Sequence, residues 1–351
     1  MEKQKIILST NLKERLKDAI NSLSHDKIFI LTDEITFQLC KPAIESYDYL
    51  SNALYITIGA TDIHKTIESL THVWYELSNK GGSRNSLLIN LGGGMVTDLG
   101  GFAASTFKRG IKYINIPTTL LSMIDASVGG KTGINFNGLK NEIGVFNPAS
   151  CVLLDTNFLR TLDYTNICSG YAEMLKHSLI SSVDHWSNLL HFDLNDVDYS
   201  QLQKLVALSV KIKERFVKED PYEQGIRKAL NLGHTVGHAF ESLALSQNKP
   251  ILHGYAVAWG CICELYLSAI KVGFPHDKLY QTIQFIKEYY GTFTISCKDY
   301  SHIYELMKHD KKNNSNMINF TLLGDIGDIR IHQTATKEDI FEMLDFFREG
   351  L

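Results

Sequence analysis

Glu173, His234, His238 and His253 are the residues whose types and spacing bear most directly on chemistry. One carboxylate and two imidazoles make a sufficient donor set for a catalytic zinc ion that keeps an open coordination position. In NLGHTVGH, His234 and His238 stand at i, i+4, which places both on one helix face together with Asn231. From spacing alone those two histidines are the natural ligand pair. In SGYAEMLKH, Glu173, Lys176 and His177 share a face at i, i+3, i+4, with Ser169 as the expected N-cap of their helix. His253 opens a third helix. Hydrogen-bonded core histidines would account for any one pair, but account less well for all four residues together.

A second concentration lies at residues 87–146, where LLINLGGGMVTDLGGFAAST is followed by KRGIKYINIPTTLLSMIDASVGGKTGINF and LKNEIGVF. A short apolar strand runs into Gly92-Gly93-Gly94 and then a helix, which lets backbone N–H groups and the helix N-terminus approach a pyrophosphate. The spacing is not GxGxxG, so the usual dinucleotide fingerprint is absent. Asp98 is expected on the first turn of that helix, serving its dipole or holding a ribose or nicotinamide group. Gly129-Gly130-Lys131-Thr132 mimics a P-loop, but Asp125 stands where that motif needs its first glycine, which excludes an ATPase. Lys131, Lys140, Lys176, Lys213, Arg227, Lys311 and Lys312 recur without an acidic partner pattern, as a small polyanionic substrate would require.

These groups need elements to hold them. Short apolar runs at residues 27–32, 87–91, 112–116 and 151–154 alternate with helical patterns at roughly 11–23, 62–79 and 96–107. That alternation predicts a parallel sheet covered on both faces. After residue 162 the pattern turns helical, at 170–190, 201–218, 231–246, 254–272, 275–290 and 336–348, with one ribbon at 318–323 and 329–332. The expected architecture is an α/β nucleotide-binding domain over 1–162 and an all-α metal- and substrate-binding domain over 163–351, with the cleft between them as the default site.

The 351 residues carry a formal net charge of −4 and are 44% hydrophobic, which suits a well-buried core and argues against nucleic-acid or membrane-surface partners. The N-terminal residues hold no apolar run of the secretory kind, and no window approaches about 18 uninterrupted apolar residues. The cysteines lack CxxC spacing; reduced, buried thiols in a cytoplasmic protein are expected.

Taken together, GGGMVTDLGGFAASTFKRG, PTTLLSMIDASVGGKTG, LKNEIGVF, SGYAEMLKH, GIRKALNLGHTVGHAFES, LHGYAVAWG and HDKK resemble the sugar-phosphate cyclases and, within them, the 3-dehydroquinate synthase family, over essentially the whole chain. The resemblance implies a homodimer that turns 3-deoxy-D-arabino-heptulosonate 7-phosphate into 3-dehydroquinate and phosphate, using NAD and Zn2+ or Co2+. It implies oxidation at one carbon, phosphate elimination in which the phosphate itself takes much of the proton, re-reduction, and an intramolecular aldol closure. It assigns the metal to Glu173, His234 and His253, and moves His238 to the substrate. Lys131, Asn141, His238 and one of Lys311 and Lys312 would hold the phosphate, with Arg109 reaching it from the neighbouring subunit. Lys213 and Arg227 would hold the carboxylate, while Asp125, Lys176 and Asn231 would meet hydroxyls, with Lys140 close by. Asp33, Asp62, Lys65, Gly93, Gly94, Asp98, Thr118 and Thr119 would serve NAD, with Lys131 and Lys140 shared between NAD and substrate.

Two departures stand out. Asp62-Ile63-His64-Lys65 replaces the family's frequent Glu-x-x-Lys, one methylene shorter, and Phe136-Asn137-Gly138-Leu139-Lys140-Asn141 replaces its common HPLGKN. Rival readings are a cyclase acting on sedoheptulose 7-phosphate or glucose 6-phosphate, a metal-dependent polyol dehydrogenase, and a non-catalytic homologue. Substrates without a carboxylate would leave Lys213 and Arg227 unpaired in a desolvated pocket, at a cost of several kcal/mol.

Overall fold

The computed structural model describes residues 4–137, 139–308 and 318–350, and the chain divides into two units, Met1–Asp163 and Tyr164–Leu351. In the first unit the strands are β1 (Lys5–Leu8), β2 (Ile28–Asp33), β3 (Leu54–Ile58), β4 (Leu87–Gly92), β5 (Lys112–Pro117), β6 (Lys131–Phe136), β7 (Leu139–Phe146) and β8 (Cys151–Leu154). The helices are α1 (Leu12–Asn21), α2 (Glu34–Leu39), α3 (Ile67–Asn79) and α4 (Gly94–Thr106). Among the described residues, six strands form one parallel sheet in the order β1-β8-β5-β4-β2-β3. The central strands β4 and β8 are buried along their whole length, as near-continuous apolar runs require in a sheet covered on both sides.

From β2 the chain steps outward to β3, then returns to the other side of β2 as β4. The carboxyl ends of β2 and β4 therefore flank the point where strand order reverses, where open α/β sheets bind ligands. Asp33 ends β2, Gly92 ends β4, and Gly93 and Gly94 lead from it into α4.

The sequence pattern does not anticipate β1, β3 or the antiparallel hairpin β6–β7. β1 and β3 are edge strands with partly exposed residues, so their apolar runs are short and interrupted. β7 is exposed along its length and rich in Lys, Asn, Glu and Gly, with no apolar periodicity to betray it. Helix α3 also starts later than expected: Asp62–His64 form a 3-10 turn, and the Thr66 hydroxyl accepts from the Ser69 amide to cap α3.

The second unit contains α5 (Tyr164–Leu179), α6 (Val183–Leu190), α7 (Tyr199–Glu219), α8 (His234–Ser246), α9 (His253–Val272), α10 (His276–Tyr290), α11 (Tyr300–Lys308) and α12 (Lys337–Glu349). The expected ribbon is the antiparallel pair β9 (Asn319–Asp325) and β10 (Asp328–Thr334). The single helix expected over 170–190 is two helices. The chain breaks after Leu179, and the Ser182 side chain caps α6 by accepting from the His185 amide. Ser169 is not an N-cap. It lies inside α5, and its hydroxyl accepts from the Gly254 amide at 3.1 Å, tying α5 to the start of α9. The short helix α11 buries only Tyr300, Ile303 and Met307 and gives too little periodic signal to be read in advance.

Helix α9 is long and apolar enough by length and composition to cross a membrane, yet 67% of that window is buried inside the protein, against α5, α8, α10 and α12. It is a core helix. Cys40, Cys151, Cys168, Cys261 and Cys263 are buried free thiols, whereas Cys297 is exposed, against expectation.

His185 offers a test of this packing. Its Nε2 lies 3.1 Å from the Ser209 hydroxyl on α7, and burial pushes its pKa down to about 4. The unfolded chain binds that proton near pH 6.5, so the stability from neutral His185 is fully present above about 6.5 and is lost as pH falls toward 4. Melting temperature is expected to drop over that interval, less steeply in His185→Asn. Identical pH profiles for the two proteins would refute the assignment.

Candidate metal centre and nucleotide turn

Three helices of the second unit bring the ligand candidates together. α5 supplies Glu173, which is fully buried, and α8 and α9 each begin on a histidine, His234 and His253. Glu173 Oε1 lies 3.3 Å from His234 Nε2 and 3.3 Å from His253 Nε2. The ligand atoms of the three residues all fall within 4.8 Å of one another. Metal–donor distances of about 2.0–2.1 Å in a tetrahedral site place neighbouring donors about 3.3 Å apart, so the spacing fits a small divalent cation.

The outer nitrogens fit as well. His253 Nδ1 lies 3.1 Å from Glu241 Oε2, and His234 Nδ1 lies 3.1 Å from the Leu232 carbonyl oxygen. Acceptors at Nδ1 fix the tautomer that leaves Nε2 bare toward a metal. Burial works against charge on His253, but the carboxylates of Glu241 and Glu173 outweigh it and push its pKa up to about 10. Burial likewise opposes ionisation of Glu173, yet the charges of Lys176 and His234 hold it well below the usual carboxylate range. The carboxylates of Glu241 and Glu173 thus favour positive charge at the His253 end of the pocket.

His238 is half-buried on α8, its ring centroid 5.4 Å from that of His234 and 5.9 Å from that of His253. With Glu241 and His253 it forms a second group with metal-binding potential. The two share His253, whose Nε2 faces Glu173 and whose Nδ1 faces Glu241, so Glu241 is the outer carboxylate and the i, i+4 pair is not the pair that meets on Glu173. Glu241 was absent from the sequence-based candidates. Its position three residues after His238, on the same face, was the available signal.

Lys176, 1% exposed, forms an ion pair with Glu173. Lys213 on α7 and Arg227 in the 3-10 helix Ile226–Asn231 are also buried, on elements that pack together. The Arg227 Nη1 donates to the Pro221 carbonyl at 2.7 Å, and the Asp220 carboxylate accepts from the amides of Gln224, Gly225 and Arg227. Asn231 ends the 3-10 helix and lies outside α8, so it does not share a helix face with His234 and His238; its Nδ2 donates to Glu223 Oε1.

In the first unit, α4 starts at Gly94 with Gly93 as a cap that has no side chain, as an anion-binding turn needs. Asp98 lies beyond the first turn of α4 and does not serve its dipole. It accepts from Lys65 Nζ at 2.5 Å, and the same ammonium donates to the Asn141 side-chain Oδ1. Lys65 is buried; Asp62 is exposed, its carboxylate accepting from Asn135 Nδ2. Asp33 is committed to a capping box on α2, accepting from the Thr36 amide at 2.7 Å. Thr118 is buried after β5, Thr119 pairs with Ser122, and Asp125 lies on the π-helical turn Ser122–Ala126. Lys131, Lys140 and Asn141 are exposed on the hairpin β6–β7. Arg109 is exposed after α4, with Lys108 and Arg109 both in the left-handed region. Lys311 and Lys312 lie outside the described residues.

Residues 55–169 match the family described as 3-dehydroquinate synthase N-terminal, and residues 170–313 match the one described as 3-dehydroquinate synthase C-terminal. The chain belongs to the 3-dehydroquinate synthase family. A 3-dehydroquinate synthase of Parabacteroides distasonis is 56% identical over 350 residues, covering 100% of this chain and 99% of the relative. One of Clostridium tetani is 35% identical, covering 97% and 91%. Among solved structures, a 2-deoxy-scyllo-inosose synthase complexed with carbaglucose-6-phosphate, NAD+ and Co2+ superimposes with a TM-score of 0.86 at 23% identity, covering 99% and 96%. A 2-epi-5-epi-valiolone synthase from Streptomyces hygroscopicus with NAD+ and Zn2+ bound gives 0.87 at 22%, covering 100% and 98%. A glycerol dehydrogenase from Schizosaccharomyces pombe gives 0.70 at 13%, covering 98% and 89%. The 3-dehydroquinate synthase fold is thus shared with dehydrogenases, and fold by itself does not choose the substrate.

Proposed function

We propose that this chain converts 3-deoxy-D-arabino-heptulosonate 7-phosphate to 3-dehydroquinate and phosphate, with NAD and a divalent cation, Zn2+ or Co2+, as cofactors. The observation that carries this is Glu173 Oε1 standing 3.3 Å from the Nε2 atoms of both His234 and His253, each histidine anchored at its other nitrogen. Once bound, the cation supplies Lewis-acid polarisation of substrate hydroxyls, and NAD supplies a hydride acceptor that becomes the donor later in the turnover.

The chain's own residues divide the rest. Lys213 and Arg227, both buried and carried on elements that pack together, hold the substrate carboxylate. Lys131, Asn141, His238 and a lysine of the Lys311-Lys312 pair hold the phosphate, and Lys176, Asp125 and Asn231 orient hydroxyls, with Lys140 nearby. Gly93, Gly94, Asp98, Thr118 and Thr119 serve NAD, together with Asp33, Asp62 and Lys65. No dedicated protein base is needed for the elimination, because the departing phosphate takes the proton; the later ring closure needs only the right conformer. The functional domains are 1–162 for NAD and 163–351 for metal and substrate. The protein works in the cytoplasm as a homodimer, with Arg109 reaching the neighbouring subunit's phosphate.

Rapid mixing of the metal-replete, NAD-loaded protein with the heptulosonate phosphate tests this. The near-ultraviolet absorbance of NADH should rise and decay within one turnover, with no net accumulation. Steady accumulation of NADH would mean a dehydrogenase.

A further inference from the structure

Glu264 is a fully buried carboxylate that nothing in the proposed chemistry uses. It sits on α9 about three turns beyond His253, on nearly the same face. Its Oε2 accepts from the Gly233 amide at 2.7 Å, and its Oε1 accepts from the amides of Thr235 at 3.0 Å and Val236 at 3.2 Å. Those three N–H groups bracket His234.

The start of α8 needs this contact. Its N-cap is Gly233, which has no side chain with which to cap the helix, so the first amides of α8 must find an acceptor elsewhere. Glu264 provides it across the helix pair, and its negative charge faces the positive end of the α8 dipole. Two glycines bring it within reach. Gly233 adopts φ +78°, and a Cβ there would stand 2.5 Å from Cys261 Sγ. A Cβ on Gly260 would stand 2.0 Å from the Gly233 carbonyl oxygen. Any side chain at either position would push α8 away from α9.

We infer that Glu264 is a positioning residue for the metal centre: by capping α8 from α9, it sets the backbone that carries His234 in register with the helix that carries His253. The role is independent of any contact with metal or substrate. It rests on Glu173, His234 and His253 being the ligand set. A carboxylate that only stabilised the fold would raise the melting temperature equally with and without metal and leave metal affinity unchanged. A positioning carboxylate lowers the cost of bringing two imidazoles to one point, so its loss appears in metal affinity.

The test compares Glu264→Gln with the parent and with His253→Ala, each purified metal-free, in zinc titrations against a competing chromophoric chelator. The glutamine keeps the volume but turns an amide NH2 toward N–H donors. Zinc binding by Glu264→Gln is expected to weaken about 10- to 100-fold, the range for outer-sphere partners of a metal site. Should that variant not fold, Glu264→Asp, which keeps the charge but withdraws it by one carbon, is read in the same way. Zinc affinity within about twofold of the parent, with His253→Ala having lost zinc, would overturn the role of Glu264 alone. Retention of zinc by His253→Ala would instead overturn the ligand set.

Discussion

Replacing His253 with alanine should abolish turnover and strip the cation from the protein. The imidazole Nε2 is one of two that meet Glu173 Oε1 at 3.3 Å, and its Nδ1 faces Glu241 on the other side. The loss should exceed the roughly 100-fold that bounds outer-sphere effects on metal affinity, because a bond to the metal is removed rather than its support. The variant also leaves Glu241, 9% exposed, without the imidazole that now faces it. Metal content after gel filtration with a chelator in the buffer, read beside phosphate release, checks the prediction. Zinc retained with normal turnover would remove His253 from the ligand set.

Replacing Arg227 with alanine should raise the substrate concentration needed for half-maximal rate by about 100-fold or more while leaving NAD affinity unchanged. Removing one member of a buried charged pair costs about 2–5 kcal/mol, which spans that factor. Arg227 is 2% exposed, and its backbone is held by Asp220 independently of its side chain, so the loop should survive the truncation. The 2.7 Å bond to the Pro221 carbonyl and the guanidinium charge beside Asp220 go with the side chain, and Arg227→Lys controls for charge without that fork. Steady-state kinetics with varied heptulosonate phosphate, and a separate NAD titration, read the two effects. Loss of NAD binding in Arg227→Ala would contradict a carboxylate role.

Residue type and spacing made the metal donors conspicuous, since one glutamate and three histidines together are less well accounted for as core residues than any one pair. Choosing between His238 and His253 was a different problem. The i, i+4 rule sees neighbours on one helix, whereas the pair that meets on Glu173 comes from the first residues of two helices whose approach is set by Gly233 and Gly260. Spacing along the chain carries no information about such a crossing; only the family resemblance pointed to it. The same limit hid the pairing of Lys65 with Asp98, which joins residues far apart in sequence, and the Ser169–Gly254 bond, which made an apparent cap into an interior residue. For the fold, central strands were legible because burial on both faces writes a continuous apolar run. β1, β3 and β7 were not, because edge and exposed strands are free to carry polar residues.

The central claim is that a carboxylated sugar phosphate is cyclised with loss of phosphate at a metal-dependent centre. Phosphate release by the metal-replete protein with NAD tests it most directly, with 3-deoxy-D-arabino-heptulosonate 7-phosphate and sedoheptulose 7-phosphate run in parallel. Release from the first alone, abolished by a chelator and restored by zinc, is the predicted result. Release from sedoheptulose 7-phosphate alone would contradict it, since Lys213 and Arg227 would then hold no carboxylate.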